Sequence, residues 1–127
     1  MKNSDSEDVS NEVVMLIEQA WEHDRRLHDR SALRFAREAV RRAKTEGLLI
    51  SYLTALDVLA STVKEFSSSE ATQAAIEIIA LLEDENRART IQPNFPEVEY
   101  EYTRSWLLAR TYHHLASSTA TARGKNS

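Results

Sequence analysis

The chain has 127 residues, with 16 basic and 20 acidic side chains, a net charge of -4, two glycines, two prolines and no cysteine. The lack of cysteine excludes disulfides, thiolate nucleophiles and cysteine-ligated zinc, and the negative net charge does not favour nucleic acid as a partner. A chain of this length suits one domain, and so few glycines and prolines leave little material for β-hairpins or phosphate-binding loops. The composition therefore predicts an all-α domain.

Both ends of the chain are polar. Residues 1–10 are acidic and poor in apolar groups, so burial cannot offset the entropy cost of ordering them, and we predict a disordered tail. A second disordered polar tail is predicted for residues 119–127, which leaves a helical domain over residues 11–118. The start of the chain lacks the apolar core of a signal peptide, and no later apolar run is long enough to span a membrane, so we expect a cytoplasmic protein.

Two helices are predicted in the first part of the domain. Apolar residues recur at intervals of three and four from Asn11 to about His28, and again from about Ser31 to Glu46. Gly47 can adopt the left-handed conformation that often ends a helix. The second helix has small residues on one face, which lets another helix lie close against it: Ala32, Ala36, Ala39 and Ala43.

The opposite face of the second helix has a row of cations, which we call the arginine stripe. Its members are Arg30, Arg34, Arg37, Arg41 and Lys44. Guanidinium groups pair bidentately with carboxylates and phosphates, so the stripe is a candidate site for an acidic peptide, a phosphorylated segment or RNA phosphates. The alternative is a solvated face whose cations pair with nearby acids such as Glu38 or the acidic run 83–85.

Three more helices complete the prediction. A third runs from about Leu48 to Phe66, and the serines at 67–69 interrupt it. A fourth, from about Ser69 to Arg89, is the most apolar and is expected to lie centrally. Pro93 and Pro96 lie in a loop, and a fifth helix is predicted from residue 96 or 97 to about 118.

Three segments of the chain resemble tetratricopeptide (TPR) repeats, in particular the longer-helixed kind found in bacterial signalling and regulatory proteins. Residues 32–43 resemble the second helix of such a repeat, whereas 52–60 and 106–112 resemble first helices, with small residues at Ala60 and Ala109. The resemblance implies antiparallel α-hairpins stacked as a short right-handed superhelix of about five helices. An irregular five-helix bundle is the structural alternative.

The same resemblance implies a groove, lined by the first helices, that binds a partner protein or peptide. The implied groove residues are Ile17, Trp21, Asp24, Arg25, Asp57, Ser61, Lys64, Trp106, Arg110 and His113. Tryptophan and arginine are common interface anchors because they combine a large contact area with directional polar groups. The alternative is that Trp21 and Trp106 fill the core between the hairpins.

We therefore expect an adaptor or regulator rather than an enzyme, with no cofactor and no metal. His23 and His28 are five residues apart, which is unfavourable for chelation on one helical face, and no nucleophile elbow or glycine-rich loop is present. Two alternatives remain open. One is a regulatory bundle that forms a homodimer through its last helix, and the other is a small helical RNA- or nucleotide-acting enzyme using Arg110 and His113.

Overall fold

The computed structural model describes the backbone of residues 2–64 and 66–126 and the side chains of residues 8–64 and 66–116. Throughout this part of the chain the regular structure is helical, with no strand, which confirms the all-α prediction. The helices are α1 Lys2–Arg25, α2 Asp29–Thr45, α3 Leu49–Val63, α4 Ser68–Glu83, α5 Glu85–Ile91 and α6 Glu97–Asn126. Whether they form a superhelix of TPR type stays a prediction.

Helices α1 and α2 form an antiparallel hairpin. The chain reverses at Leu27, whose φ of 61° is left-handed, and the His28 N–H donates to the His23 carbonyl at 2.8 Å. On α2 the alanine face predicted from the spacing is fully buried: Ala32, Ala36, Ala39 and Ala43 each have no exposed surface. Side chains this small let α2 contact both α1 and α3 at close range.

Helix α3 is the centre of the molecule. It contacts α1, α2, α4 and α6, and eleven of its fifteen residues are buried. A helix that is apolar on all sides is stable only when other helices surround it. The expectation that the fourth predicted helix is central was therefore wrong, because α4 has an outer face that includes exposed Gln73 and Ile76.

The fourth predicted helix is in fact two helices. The backbone leaves the helical region at Asp84, with φ -133° and ψ 100°, and this residue separates α4 from α5. Its carboxylate accepts from the backbone N–H groups of Asn86 and Arg87, at 3.0 and 3.4 Å. Aspartate is favoured at an N-cap because its side chain satisfies the free N–H groups of the first turn. Ser67 caps α4 in the same way, through the Glu70 N–H at 3.2 Å.

The end of α5 packs against the turn between α2 and α3. Gly47 has the predicted left-handed conformation, with φ +68°, and a β-carbon added there would lie 3.0 Å from the Ile91 carbonyl oxygen. The Leu49 N–H at the start of α3 donates to the Gln92 side-chain oxygen at 2.9 Å. Leu48, the N-cap of α3, provides no side-chain acceptor, so Gln92, 43 positions after Leu49, serves instead.

Helix α6 packs against α4 and the far side of α3. The Tyr100 hydroxyl donates to the Leu81 carbonyl at 2.7 Å, and Arg104 Nε donates to the Leu82 carbonyl at 2.8 Å. The helical backbone begins at Lys2 and ends at Asn126, so it includes parts of segments 1–10 and 119–127. The disorder of those two segments and the domain limits 11–118 stay predictions.

Candidate interaction surfaces

Three of the predicted groove residues, from three different helices, meet at one point. Arg110 Nε on α6 lies 3.0 and 3.2 Å from the two carboxylate oxygens of Asp57 on α3. The Arg110 guanidinium carbon is 5.9 Å from the ring centroid of Trp21 on α1, within cation–π range. We call the surface formed by Trp21, Asp57, Trp106 and Arg110 the tryptophan–arginine face.

The two charges of this face differ in exposure. The Asp57 side chain is 4% exposed, whereas the Arg110 side chain is 41% exposed. A buried carboxylate needs a cation and hydrogen bonds, and of the side chains that the structure describes only Arg110, through its Nε, supplies them to Asp57. The two Nη groups have no hydrogen-bond partner among the described residues, so they remain free to donate to another molecule.

Polar groups continue from this pair along α3 and α6. The hydroxyl groups of Ser61 and Thr111 are buried and have no hydrogen-bond partner within the described part of the chain. Burial, followed by repulsion from Arg110, lowers the pKa of His114 below its ordinary value, and only Asp57 acts in the opposite direction. The interior beside the face is therefore unusually polar for a contact between helices.

The other predicted groove residues have mixed positions. Ile17 is buried in the core, and Trp21 is half-buried and packs against the core cluster. Trp106 keeps 39% of its surface exposed. The other five residues of the set are exposed or half-buried: Asp24, Arg25, Ser61, Lys64 and His113. Of these, Arg25 pairs with Glu22. Partner binding by these residues stays a prediction.

The arginine stripe lies along the exposed side of α2, beside an open groove of about 820 Å³. Arg37 makes a bidentate pair with Glu70, at 3.0 and 2.7 Å, and this hydrogen bonding raises the pKa of Arg37 above its ordinary value. Arg41 pairs with Glu38, as the alternative in the sequence analysis expected, and lowers the pKa of that carboxyl. The remaining three cations have no acidic partner among the described residues: Arg30, Arg34 and Lys44.

The acidic run 83–85 does not neutralise the stripe. Glu83 accepts from the Tyr112 hydroxyl at 2.7 Å, Asp84 caps α5, and Glu85 lies 3.7 Å from Arg89. The floor of the groove is apolar and includes residues from α1, α2 and the turn after α3: Leu16, Leu33, Phe35 and Phe66. The stripe therefore combines two ion-paired arginines with two that have no acidic partner in the described part of the chain, all beside an apolar surface.

His23 and His28 are closer than their spacing suggests. Their Nδ1 atoms are 3.3 Å apart because α1 ends at Arg25, and His28 folds back in the turn. His23 also stacks on Phe35, with 5.3 Å between ring centroids. The spacing argument concerned two histidines on one helical face, and it does not cover this approach because His28 lies beyond the end of α1. Among the described residues, however, no group of three metal-ligating side chains is present.

Within the part of the chain that the structure describes, no helix has the combination of length and apolar character that crossing a bilayer requires. Comparison with family models, with curated proteins and with solved structures finds no match to this chain. The arguments for function therefore rest on the geometry of the tryptophan–arginine face and the arginine stripe.

Proposed function

We propose that this protein is a TPR-like interaction module, an adaptor or regulator that binds a partner protein or peptide across α1, α3 and α6. The supporting observation is the contact of Trp21 and Asp57 with Arg110, because it brings two typical anchor residues together on one surface. We place the protein in the cytoplasm, as expected from its sequence.

The chemistry of the face suggests what such a partner offers. Asp57 holds Arg110 in one orientation, so less side-chain entropy is lost when the free Nη groups donate to a second acceptor. Those groups suit a backbone carbonyl or a carboxylate of the partner. Trp106, on the same helix and 39% exposed, offers apolar contact area beside them.

The test compares two exposed aromatic residues of α6: Trp106, which lies one turn from Arg110, and Tyr102, which lies two turns from it. Wild-type protein, Trp106→Ala and Tyr102→Ala are each used to capture proteins from a native lysate, and captured proteins are identified by mass spectrometry. We expect a protein that wild type and Tyr102→Ala retain and Trp106→Ala loses, with unchanged circular dichroism for both variants. Titration calorimetry with the purified partner then measures the affinity loss.

Two results would contradict this proposal. One is a set of captured proteins that Trp106→Ala leaves unchanged. The other is loss with Tyr102→Ala but not with Trp106→Ala, which would place the binding surface nearer the start of α6 than the tryptophan–arginine face.

The arginine stripe is a second candidate surface, for an acidic segment of a partner protein. The favouring observation is that Arg30 and Arg34 border an apolar groove and have no acidic partner within the described ranges of the chain. A row of cations that only faces solvent gives no reason for apolar side chains at the base of the groove beside it. If the stripe binds an acidic segment, the Arg30→Glu and Arg34→Glu double variant loses a partner protein that Trp106→Ala still captures. Normal capture by the double variant would exclude the stripe as a binding surface.

A further inference from the structure

The groove beside the arginine stripe follows α2 for about three helical turns. Its cations recur at spacings of 4, 3 and 4 residues: Arg30, Arg34, Arg37 and Arg41. At 1.5 Å of rise per residue, the first and the last of these positions lie about 16 Å apart along the helix axis. The floor of the groove is apolar, and Phe66 keeps 50% of its surface exposed there. We call this feature the stripe groove.

Half of the stripe groove already binds carboxylates of this chain. Arg37 donates to both carboxylate oxygens of Glu70, which lies in the first turn of a neighbouring helix, α4. Arg41 donates in the same bidentate way to Glu38. The other two arginines of the groove, Arg30 and Arg34, have no acidic partner among the residues that the structure describes. Two positive charges therefore remain, one helical turn apart, and they match two carboxylates with the same spacing.

The shape of the stripe groove favours a helix over a flat or highly charged partner. Leu33 on the floor is 9% exposed, whereas the arginines around it are exposed, so the surface is concave. A flat bilayer surface does not fill a concave groove, and RNA phosphates gain nothing from an apolar floor. An amphipathic helix has apolar and acidic side chains at the same spacings of three and four residues, so it offers both chemistries at once.

We propose that the stripe groove binds an acidic amphipathic helix of another protein. The apolar side chains of that helix cover Phe66 and the rest of the floor, and two of its acids, one turn apart, pair with Arg30 and Arg34. This inference rests on the arginine stripe as the second candidate surface, and it names the form of the partner segment. It uses no residue of the tryptophan–arginine face, so the two can fail independently.

Fluorescence anisotropy with two labelled synthetic peptides tests the chemistry of the partner. Each peptide has about 14 residues, nearly four helical turns, with leucines spaced by three and four residues along one side. The acidic peptide has glutamates beside the leucines at the same spacing, and the control peptide has glutamines there. We expect the full chain to bind the acidic peptide about tenfold more tightly or better, with a smaller difference at high salt. Equal affinities, or no binding of either peptide, overturn the proposal.

Two double variants test whether the charges of the groove are responsible. Arg30→Gln with Arg34→Gln is expected to weaken binding of the acidic peptide by about tenfold or more. Arg26→Gln with Arg87→Gln removes the same charge from exposed positions outside the groove, and is expected to change the affinity little. Circular dichroism confirms that both double variants are folded. Equal weakening by the two would mean that the peptide responds only to the net charge of the protein, which contradicts the proposal.

A matched pair of apolar variants tests the floor. Phe66→Ala is expected to weaken binding of the acidic peptide several-fold, because it removes exposed apolar surface from the groove. Ile76→Ala, at a position of α4 that is 54% exposed and outside the groove, is expected to have no effect. Unchanged binding by Phe66→Ala would show that the floor takes no part, and would contradict an amphipathic partner.

Competition experiments distinguish the other possible occupants. Phosphatidylserine vesicles and single-stranded RNA are each added to the complex of the chain with the acidic peptide, and neither is expected to displace the peptide. Displacement by either one would assign the free arginines to lipid headgroups or to RNA phosphates, and overturns the proposal. Loss of a captured protein with Arg30→Glu and Arg34→Glu, without any peptide binding, would refute the helical partner and leave the stripe as a surface for another kind of acidic segment.

Discussion

At the scale of single residues, the contact between Asp57 and Arg110 is the clearest structural constraint on the tryptophan–arginine face. The two residues are 53 positions apart, and their pairing joins α3 to α6. Because Asp57 is 4% exposed, its carboxylate depends on this arginine far more than the arginine depends on it.

Replacement of Arg110 by methionine is therefore expected to cost about 2 kcal/mol of unfolding free energy, below the cost for a fully buried pair because the Arg110 side chain is 41% exposed. The Asp57→Leu and Arg110→Met double variant removes both charges and is expected to be more stable than Arg110→Met alone. Urea denaturation of the wild type, Asp57→Leu, Arg110→Met and the double variant measures these unfolding free energies. Simple addition of the two single effects would show that the charges do not interact.

His114 predicts a dependence of stability on pH. The pKa of His114 is lowered in the folded protein, chiefly by burial and then by repulsion from Arg110. Lys64 and His113 also lower this pKa, whereas Asp57 raises it. The unfolded chain therefore binds more protons between the two pKa values, and stability falls as pH drops through about 6.5.

We expect the midpoint of thermal unfolding to decrease between about pH 7.5 and 5.5, and His114→Gln to reduce that decrease. Exposed His113→Gln is the matched comparison and should change the slope much less than His114→Gln, because His113 has the smallest of the influences on the pKa of His114. Identical slopes for the wild type and His114→Gln would show that His114 does not contribute to the pH dependence.

At the scale of elements, the sequence predicted most of the helix positions but missed one helix boundary. Spacing of apolar and small residues predicted the second and third helices and the end of the first to within a few residues, and Gly47 was recognised as the end of the second. The first helix begins at Lys2, nine residues before the predicted start at Asn11. The break at Asp84 was missed because aspartate is compatible with a helix interior, and only its N-cap geometry shows that a new helix begins there.

Gly47→Ala tests the turn between α2 and α3. Alanine at φ +68° costs about 1–2 kcal/mol, and its β-carbon would also lie 3.0 Å from the Ile91 carbonyl oxygen, which belongs to the backbone and cannot rotate away. Chemical denaturation should show a loss of at least that size. Glu46→Ala, at the neighbouring exposed position with ordinary helical geometry, is expected to have little effect. A Gly47→Ala protein as stable as Glu46→Ala would contradict this account.

At the scale of the whole molecule, stability is expected to be distributed unevenly. Helix α3 contacts four other helices, whereas the seven-residue α5 packs mainly on α4 and contributes one buried side chain, Ala88. Native-state hydrogen exchange should therefore be slowest for the amides of α3, which open only with global unfolding, and fastest in α5 among the helices between residues 29 and 91. Equal protection of α3 and α5 would mean that these helices unfold as one unit.

The sequence by itself determined the helical class, the order of the main helices, the Gly47 turn and the buried alanine face, because each depends on residues within a few positions of one another. Only the tertiary structure decided that α3 is central, that Arg37 pairs with Glu70 rather than with acids 83–85, and that Asp57 meets Arg110. These features join residues 33 and 53 positions apart. Such contacts depend on how helices pack against each other, which the periodicity of a single helix does not specify.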